Sequence, residues 1–272
     1  MKQVWLAPPF NRLWSGKDPF AEVERLEGEL FRALEARRTL RVEVEGRAYF
    51  VKIHRGVGWR EIIDNLARGR LPVLGAANEY AAIRRLDELN VATMTPVAYG
   101  QRGANPATRH SFIITEALLP TVALDEHCRA WQHTPPNPRW RHAVIARVAD
   151  MMRRMHAGGM NHRDCYLVHF LLHLDPAPTP EDFRISLIDL HRAQLRERTP
   201  RRWRDKDLAA LHFAALEAGL TERDRLRFLR DYFQRPLREI LRDEAALLAF
   251  LEREGLRLME RWQRKFAPGA EA

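Results

Sequence analysis

One stretch constrains this chain more than any other. From Asn161 it runs Asn-His-Arg-Asp-Cys-Tyr-Leu-Val-His-Phe, and after a proline-rich break it continues as Arg184-Ile185-Ser186-Leu187-Ile188-Asp189-Leu190-His191. Gly158 and Gly159, just upstream, are the usual punctuation of a helix end. Residues 185 to 190 alternate as a strand does. A loop aspartate followed by a second aspartate at a strand end is how phosphoryl-transfer enzymes set out a base and a metal ligand. Any fold for this chain must therefore put Asp164 in a loop after a helix and Asp189 at the end of a strand.

The N-terminal half is read against that requirement. Thr39 to Val44 and Arg47 to His54 read as strands joined across Glu45-Gly46, a tight-hairpin signal. Ala48, Phe50, Lys52 and His54 share one face of the second strand, and Tyr49, Val51 and Ile53 the other. Taken alone, a strand lysine reads as a solvated edge residue. Beyond a helical stretch at 59 to 68 and a loop at 71 to 75, a helix is predicted from about Ala77 to Leu89. Glu79, Ile83 and Leu86 fall at i, i+4 and i+7, which puts Glu79 on the apolar stripe. Two readings follow. Glu79 is a solvated helix-start residue favoured by the dipole, or it is buried and needs a cation, because an unpaired buried charge is costly. Beside the two later aspartates, a Lys52–Glu79 ion pair is the better reading.

The rest is plainer. Residues 1 to 20 read as an irregular lead-in, and 29 to 36 as either a strand or a helical turn. Residues 96 to 100 and 111 to 115 complete a small sheet, and a boundary falls near 118. A helix from 139 to 156 buries Trp140, Val144, Val148, Met151 and Met155. From about Asp205 the chain is helical, with a Thr221/Asp224 capping pair opening one helix and a last helix ending near Lys265.

Composition narrows the class. Forty-five basic against 36 acidic residues give a net charge of +9, and nearly all the basic residues are arginines. Arginine suits bidentate contact with phosphate or carboxylate, although GC-rich coding accounts for many of them equally well. The charge comes with no recognised nucleic-acid motif, so no nucleic-acid partner is expected. Cys128 and Cys165 make no disulfide framework, which points to a reducing compartment. Pro8, Pro9, Asn11 and Arg12 interrupt any signal-peptide core, and no apolar run approaches the ~18 residues of a membrane span. A cytoplasmic protein able to touch a membrane surface is expected.

The constellation has a mechanics. Asp164 would take the acceptor hydroxyl's proton, Lys52 would hold the nucleotide's α- and β-phosphates, Glu79 would fix Lys52, and Asp189 would bind a divalent metal. The order of strand lysine, helix glutamate, loop aspartate and strand-end aspartate resembles the protein-kinase fold over about residues 30 to 215. That resemblance implies an α+β, bilobal architecture. The N-lobe (1–117) would be a small antiparallel sheet with one key helix, and the C-lobe (118–272) mainly helical. It also implies that backbone groups at Glu116 and Leu118 meet adenine, and that Asp207 braces the catalytic loop. The departures are informative. His169 stands five residues after Asp164, where most protein kinases have a second metal-binding asparagine. Asp189-Leu190-His191 replaces Asp-Phe-Gly. The glycine-rich phosphate loop is replaced by Ala36-Arg37-Arg38-Thr39, so Arg38 is expected to share the phosphate work. Imidazole is a poor ligand for Mg²⁺. His169 is therefore placed in the metal neighbourhood, either hydrogen-bonding within the loop or tilting the site towards Mn²⁺.

Three longer strings, HRDCYLVHF, RRTLRVEVEGRAYFVKIHRGVGW and RLPVLGAANEYAAI, resemble the bacterial lipopolysaccharide core heptose(I) kinase family, and the similarity covers nearly the whole chain. It implies ATP- and Mg²⁺-dependent phosphorylation of the first heptose of the lipopolysaccharide core glycolipid, at the cytoplasmic side of the inner membrane. The segment from Asp189 to Arg204 is short and carries six arginines. A short segment suits a glycan acceptor better than a docked peptide, and its arginines suit an anionic glycolipid or form a solvated charge run. The last helix carries Arg253, Arg257, Arg261, Arg264 and Lys265, with Leu251, Leu258 and Trp262 interleaved. It either packs on the C-lobe or docks something acidic: the anionic inner-membrane surface or an acidic protein partner. Competing readings are a kinase for another core sugar or small molecule, and a pseudokinase scaffold in envelope assembly. Retention of Lys52, Glu79, Asp164 and Asp189 weighs against the scaffold.

Overall fold

The Glu45-Gly46 turn has positive φ at both residues, 51° and 73°, the geometry that matches the right-handed twist of a two-residue hairpin. It joins β3 (Arg37–Val44) to β4 (Arg47–His54) within an antiparallel sheet. The other strands are β1 (Lys2–Leu6), β2 (Glu29–Leu34), β5 (Pro96–Arg102) and β6 (His110–Glu116), and the order is β1-β5-β6-β4-β3-β2. The computed structural model describes residues 2–34, 36–69 and 72–266. The side chains of residues 32–34, 262, 263, 265 and 266, and the start of the loop expected at 71, lie outside that description.

The chain divides into two compact units. The first comprises Met1–Arg85, Thr93–Leu118 and Asp189–Arg192, and the second Leu86–Ala92, Leu119–Ile188 and Ala193–Ala272. In the first unit β4 pairs with β3 on one side and β6 on the other, so Lys52 lies opposite both Thr39 and Ile113. A lysine with strands on both sides is not the edge residue it resembled in isolation. Tyr49, Val51 and Ile53 pack into a core with Leu40, Val42, Phe112 and Ile114.

The same core corrects the expectation of an irregular lead-in. β1 pairs with β5, and α1 (Phe10–Leu13) and α2 (Pro19–Glu24) bury Phe10, Phe20 and Val23 beneath the sheet. β1 hides its signal because it is an edge strand, exposed along nearly all its length. The two helices are too short to show a 3.6-residue period. Residues 29–34 are strand. α3 (Gly58–Ala67) and α4 (Ala77–Glu88) follow the predicted spans closely.

The second unit is mainly helical. Its strands are β7 (Thr121–Ala123), β8 (Met160–Asn161), β9 (Phe170–His173), β10 (Ile185–Leu187) and β11 (Gln194–Leu195). β7, β9 and β10 form one small sheet, and β8 pairs with β11. Its helices are α5 (Leu124–Cys128), α6 (Pro138–Ala157), α7 (Arg201–Glu217), α8 (Glu222–Phe233), α9 (Leu237–Asp243) and α10 (Ala245–Phe266). α6 starts on an Asn137 cap with proline at the first turn and ends at Gly158-Gly159. Gly159 has φ +80°, and a Cβ there would run into the carbonyl oxygen of Arg196, so only glycine fits the turn that feeds the loop carrying Asp164. Thr221 and Asp224 form the expected capping box.

α10 packs along α7. Leu251 is buried and Leu258 half-buried, so this stripe covers the core of the unit. Arg257 pairs with Glu254 and Arg264 with Glu260 on its own helix. Trp262 and Lys265, which also belonged to the predicted stripe, lie outside the described side chains. No described helix is long and apolar enough to cross a membrane.

Candidate active site

In the first unit, Lys52 Nζ donates to Glu79 Oε1 at 2.7 Å. Glu79 is 1% exposed, and its Oε2 has no hydrogen-bond partner among the described residues. Lys52 therefore supplies the cation that this carboxylate needs on an apolar helix face. Asp189 Oδ1 lies 4.0 Å from the same Nζ. Burial pulls the Lys52 ammonium down, but Glu79 and then Asp189 outweigh it, and the group stays charged with a raised pKa.

Asp189 follows β10 with φ +62°, a left-handed conformation that few non-glycine residues adopt. Its Oδ1 lies 2.6 Å from His191 Nδ1. The carbonyl of His191 accepts from Asn78 Nδ2 at 3.0 Å, so the first turn of α4 carries Glu79 and also holds the chain just beyond Asp189. His54, two residues after Lys52, is pushed down to about 4 by burial, with Arg37, Lys52 and His191 adding to the shift.

Other predicted nucleotide contacts take defined places in this unit. Arg38 donates to the backbone oxygen of Glu24 at 3.3 Å. Glu116 closes β6, its N–H bonded to the Thr95 carbonyl at 2.9 Å, and Ala117 N–H bonds the Ala48 carbonyl at 2.9 Å. Leu118 is half-buried at the end of the unit.

In the second unit the loop after α6 is fixed from below. Asp207, buried on α7, accepts the N–H of His162 at 2.6 Å and of Arg163 at 2.8 Å. Hydrogen bonds to a carboxylate are about twice as strong as neutral ones. His156 Nε2 stands 3.3 Å from Asp207 Oδ2, and its Nδ1 is 2.8 Å from the Tyr232 hydroxyl. Arg163 has φ +77°, so the two braced N–H groups flank a kink directly before Asp164.

Asp164 is held by its backbone. Its carbonyl accepts from Tyr166 N–H at 3.0 Å and lies 2.7 Å from His169 Nδ1. A carbonyl only accepts, so His169 donates from Nδ1, and in the neutral ring Nε2 carries the lone pair. The rings of His162 and His169 stack at 5.5 Å. His162 Nε2 lies 2.9 Å from the Ile188 carbonyl, and Ile188 N–H bonds the His169 carbonyl at 2.9 Å. The loop is thus tied to the residue that precedes Asp189 in the chain. Cys165 is buried, and burial, then Asp207 and Asp164, pushes its thiol well up, which rules it out as a nucleophile.

A divalent cation would find one hard oxygen ligand in the Asp189 carboxylate, a third of which is exposed. Mg²⁺ is commonly held by one or two carboxylates plus phosphates and waters rather than a protein cage. The described residues, which hold no group of three His, Cys, Asp or Glu placed for a metal, fit that pattern. His169 fits less well, since Nδ1 is committed to the loop and imidazole suits Mg²⁺ poorly.

Sequence reasoning did not assign roles to Asn78, His162 or His191. Asn78 adjoins Glu79, and His191 stands two residues beyond Asp189; those spacings were the available signals. A groove of about 1490 Å³, counting space open to solvent, runs beside the loop that follows Asp164, with Asp125, Arg129, Tyr166, Val168 and Arg261 among its walls.

Comparison with known proteins accounts for this arrangement. Residues 21–232 match the family described as "Lipopolysaccharide kinase (Kdo/WaaP) family". Lipopolysaccharide core heptose(I) kinase WaaP of Pseudomonas aeruginosa is 62% identical over 259 residues, 95% of this chain and 97% of that protein. WaaP of Escherichia coli K12 is 52% identical over 262 residues, covering 96% and 99%. A solved structure of WaaP in complex with acyl carrier protein superposes with a TM-score of 0.84 at 57% identity, covering 94% of this chain and 99% of that one. With matches that span almost its full length and a kinase-like fold built around Lys52, the chain belongs to the lipopolysaccharide kinase (Kdo/WaaP) family.

Proposed function

We propose that this chain is an ATP-dependent kinase that phosphorylates the first heptose of the lipopolysaccharide inner core by direct in-line transfer. The WaaP relatives carry that activity in their names. The observation that carries the reading in this chain is the buried Lys52–Glu79 pair with Asp189 at 4.0 Å. Lys52 meets the α- and β-phosphates as a charge whose position Glu79 has already fixed, so little reorganisation is needed as the transferring group moves. Asp164 accepts the proton of the attacking sugar hydroxyl, on a backbone that Asp207 and His169 hold still. Asp189 would hold a divalent ion, Mg²⁺ or Mn²⁺, which would supply positive charge to the phosphate oxygens. His169 serves chiefly as the loop's hydrogen-bond donor. Backbone groups of Glu116 and Leu118 receive adenine. Arg38, whose hydrogen bond to the Glu24 backbone oxygen is long, turns to the phosphates. The groove beside the loop, with an aromatic ring and charges of both signs, suits a sugar acceptor.

The protein works in the cytoplasm, at the periphery of the inner membrane. Its net charge of +9 favours the anionic leaflet, where each basic residue near the surface contributes about 1 kcal/mol. The complex of WaaP with acyl carrier protein supports an acidic protein partner here as well. The test of the activity is transfer from γ-labelled ATP to core oligosaccharide carrying an unphosphorylated first heptose, beside a truncated acceptor without heptose. Mass spectrometry should place the phosphate on that heptose. Phosphate on another sugar, or none on either acceptor, would overturn the assignment.

A further inference from the structure

His156, in the last turn of α6, and Tyr232, in the last turn of α8, meet Asp207 of α7 inside the second unit. Exposure is 6% for His156, 6% for Tyr232 and 1% for Asp207, too little for any of them to bind a substrate. Their polar atoms form one chain. His156 Nδ1 lies 2.8 Å from the Tyr232 hydroxyl, and Nε2 lies 3.3 Å from Asp207 Oδ2. A carboxylate only accepts, so Nε2 carries a proton; in the neutral ring Nδ1 then holds the lone pair and Tyr232 donates to it. Burial pushes the Tyr232 phenol up, so the hydroxyl keeps the proton that it donates.

Asp207 is where this chain meets the loop carrying Asp164. Its Oδ2 accepts the N–H of His162 at 2.6 Å and its Oδ1 the N–H of Arg163 at 2.8 Å. Oδ2 is therefore shared between the imidazole and a loop amide, and the place of the ring bears on the direction of the carboxylate plane. The ring can tilt unless its other nitrogen is held, and the Tyr232 hydroxyl holds it. Tyr232 is fixed in turn by its own neighbours: its ring stands edge-on to Phe233 at 4.9 Å and stacks on Phe228 at 5.9 Å. Core packing alone would be served as well by a phenylalanine at 232; the hydroxyl is what the chain of hydrogen bonds requires.

We propose that Tyr232 is a positioning residue for Asp164. Its hydroxyl orients the His156 ring, the ring orients the Asp207 carboxylate, and the carboxylate sets the two amides that precede the proposed base. The proposal rests on the reading of Asp164 as that base, and it makes the end of α8 part of what holds the loop.

The experiment compares the wild type with Tyr232→Phe, which keeps the ring and removes only the hydroxyl, with His156→Leu, and with the double variant Tyr232→Phe/His156→Leu. Turnover with ATP and core oligosaccharide gives kcat and both KM values. Hydrogen exchange followed by mass spectrometry compares the peptide spanning 160–166 with peptides from the rest of the second unit. Tyr232→Phe should lower kcat about tenfold, less than the ~10²-fold that a 1 Å misplacement can cost, and leave both KM values within about twofold. Its loop peptide should exchange faster while the other peptides keep wild-type protection. In the His156→Leu background, removing the hydroxyl should cost nothing more, because the path through the ring is already gone. Wild-type kcat in Tyr232→Phe, or wild-type exchange of its loop peptide, would overturn the proposal. So would faster exchange throughout the unit, which would make Tyr232 a packing residue, or a further loss of kcat in the His156→Leu background. Tyr232→Phe decides the matter alone should His156→Leu not fold. If the wild type itself transfers no phosphate, the reading of Asp164 as base fails, and the exchange of the loop peptide still decides whether Tyr232 holds the loop.

Discussion

His169 Nδ1 lies 2.7 Å from the carbonyl oxygen of Asp164. The His169 side chain thus supports the backbone of Asp164, the proposed base, and the stacked His162 ring extends that support to the Ile188 carbonyl.

His169→Ala should therefore act on the loop more than on the metal. We expect kcat to fall by roughly 10- to 100-fold, the typical cost of losing a hydrogen-bonding partner outside the ligand set, and the apparent metal affinity to fall by a smaller factor. Metal titrations of turnover in both proteins separate the effects. A far larger loss of metal affinity at near-normal saturated kcat would make His169 a ligand instead.

Lys52 and Glu79 should behave as one unit. Removing the lysine strands a buried carboxylate, and breaking a buried pair costs about 3–5 kcal/mol; Lys52 is a quarter exposed, so the lower end applies. Lys52→Met should lower the urea midpoint more than Lys52→Met/Glu79→Gln does. In turnover the double variant should be no worse than the poorer single one. Simple multiplication of the two kinetic losses would show that the residues are not coupled.

His54 should make stability depend on mild acid. It is buried and held to about 4, against 6.5 in an unfolded chain. Below pH 6.5 the unfolded chain gains a proton that the folded one refuses, so stability falls as the pH drops from about 6.5 to 4, by about 3 kcal/mol in all. Urea unfolding of the wild type and His54→Gln at pH 7.5 and 5.0 checks this. The variant should lose about 2 kcal/mol less over that interval, and parallel losses would contradict the account.

The legible parts of the fold were those with a local period. Val44 and Arg47 face each other across a turn whose Glu-Gly signal is explicit, and Tyr49, Val51 and Ile53 alternate visibly. Glu79 stood out because a carboxylate on an apolar stripe asks for a cation. β1 was missed because its partner β5 is remote in sequence and its own residues are exposed. α9, seven residues long, had too little length to show a stripe. The place of Asp164 in a loop after a helix, that of Asp189 just beyond a strand and the brace at Asp207 were readable from spacing and resemblance. His162, His191 and Asn78 were not, because their contacts depend on left-handed turns at Arg163 and Asp189 where no glycine marks the bend.

The central claim is that Asp164 takes the proton of the sugar hydroxyl on a site assembled to hold ATP. The most direct test is single-turnover phosphate transfer to the heptose acceptor by the wild type and by Asp164→Asn, with nucleotide affinity measured alongside. Loss of a positioned base costs roughly 10²–10⁴-fold. Asp164→Asn should bind ATP within about twofold of the wild type and transfer phosphate slower by that factor. Transfer at the wild-type rate by Asp164→Asn would contradict the account.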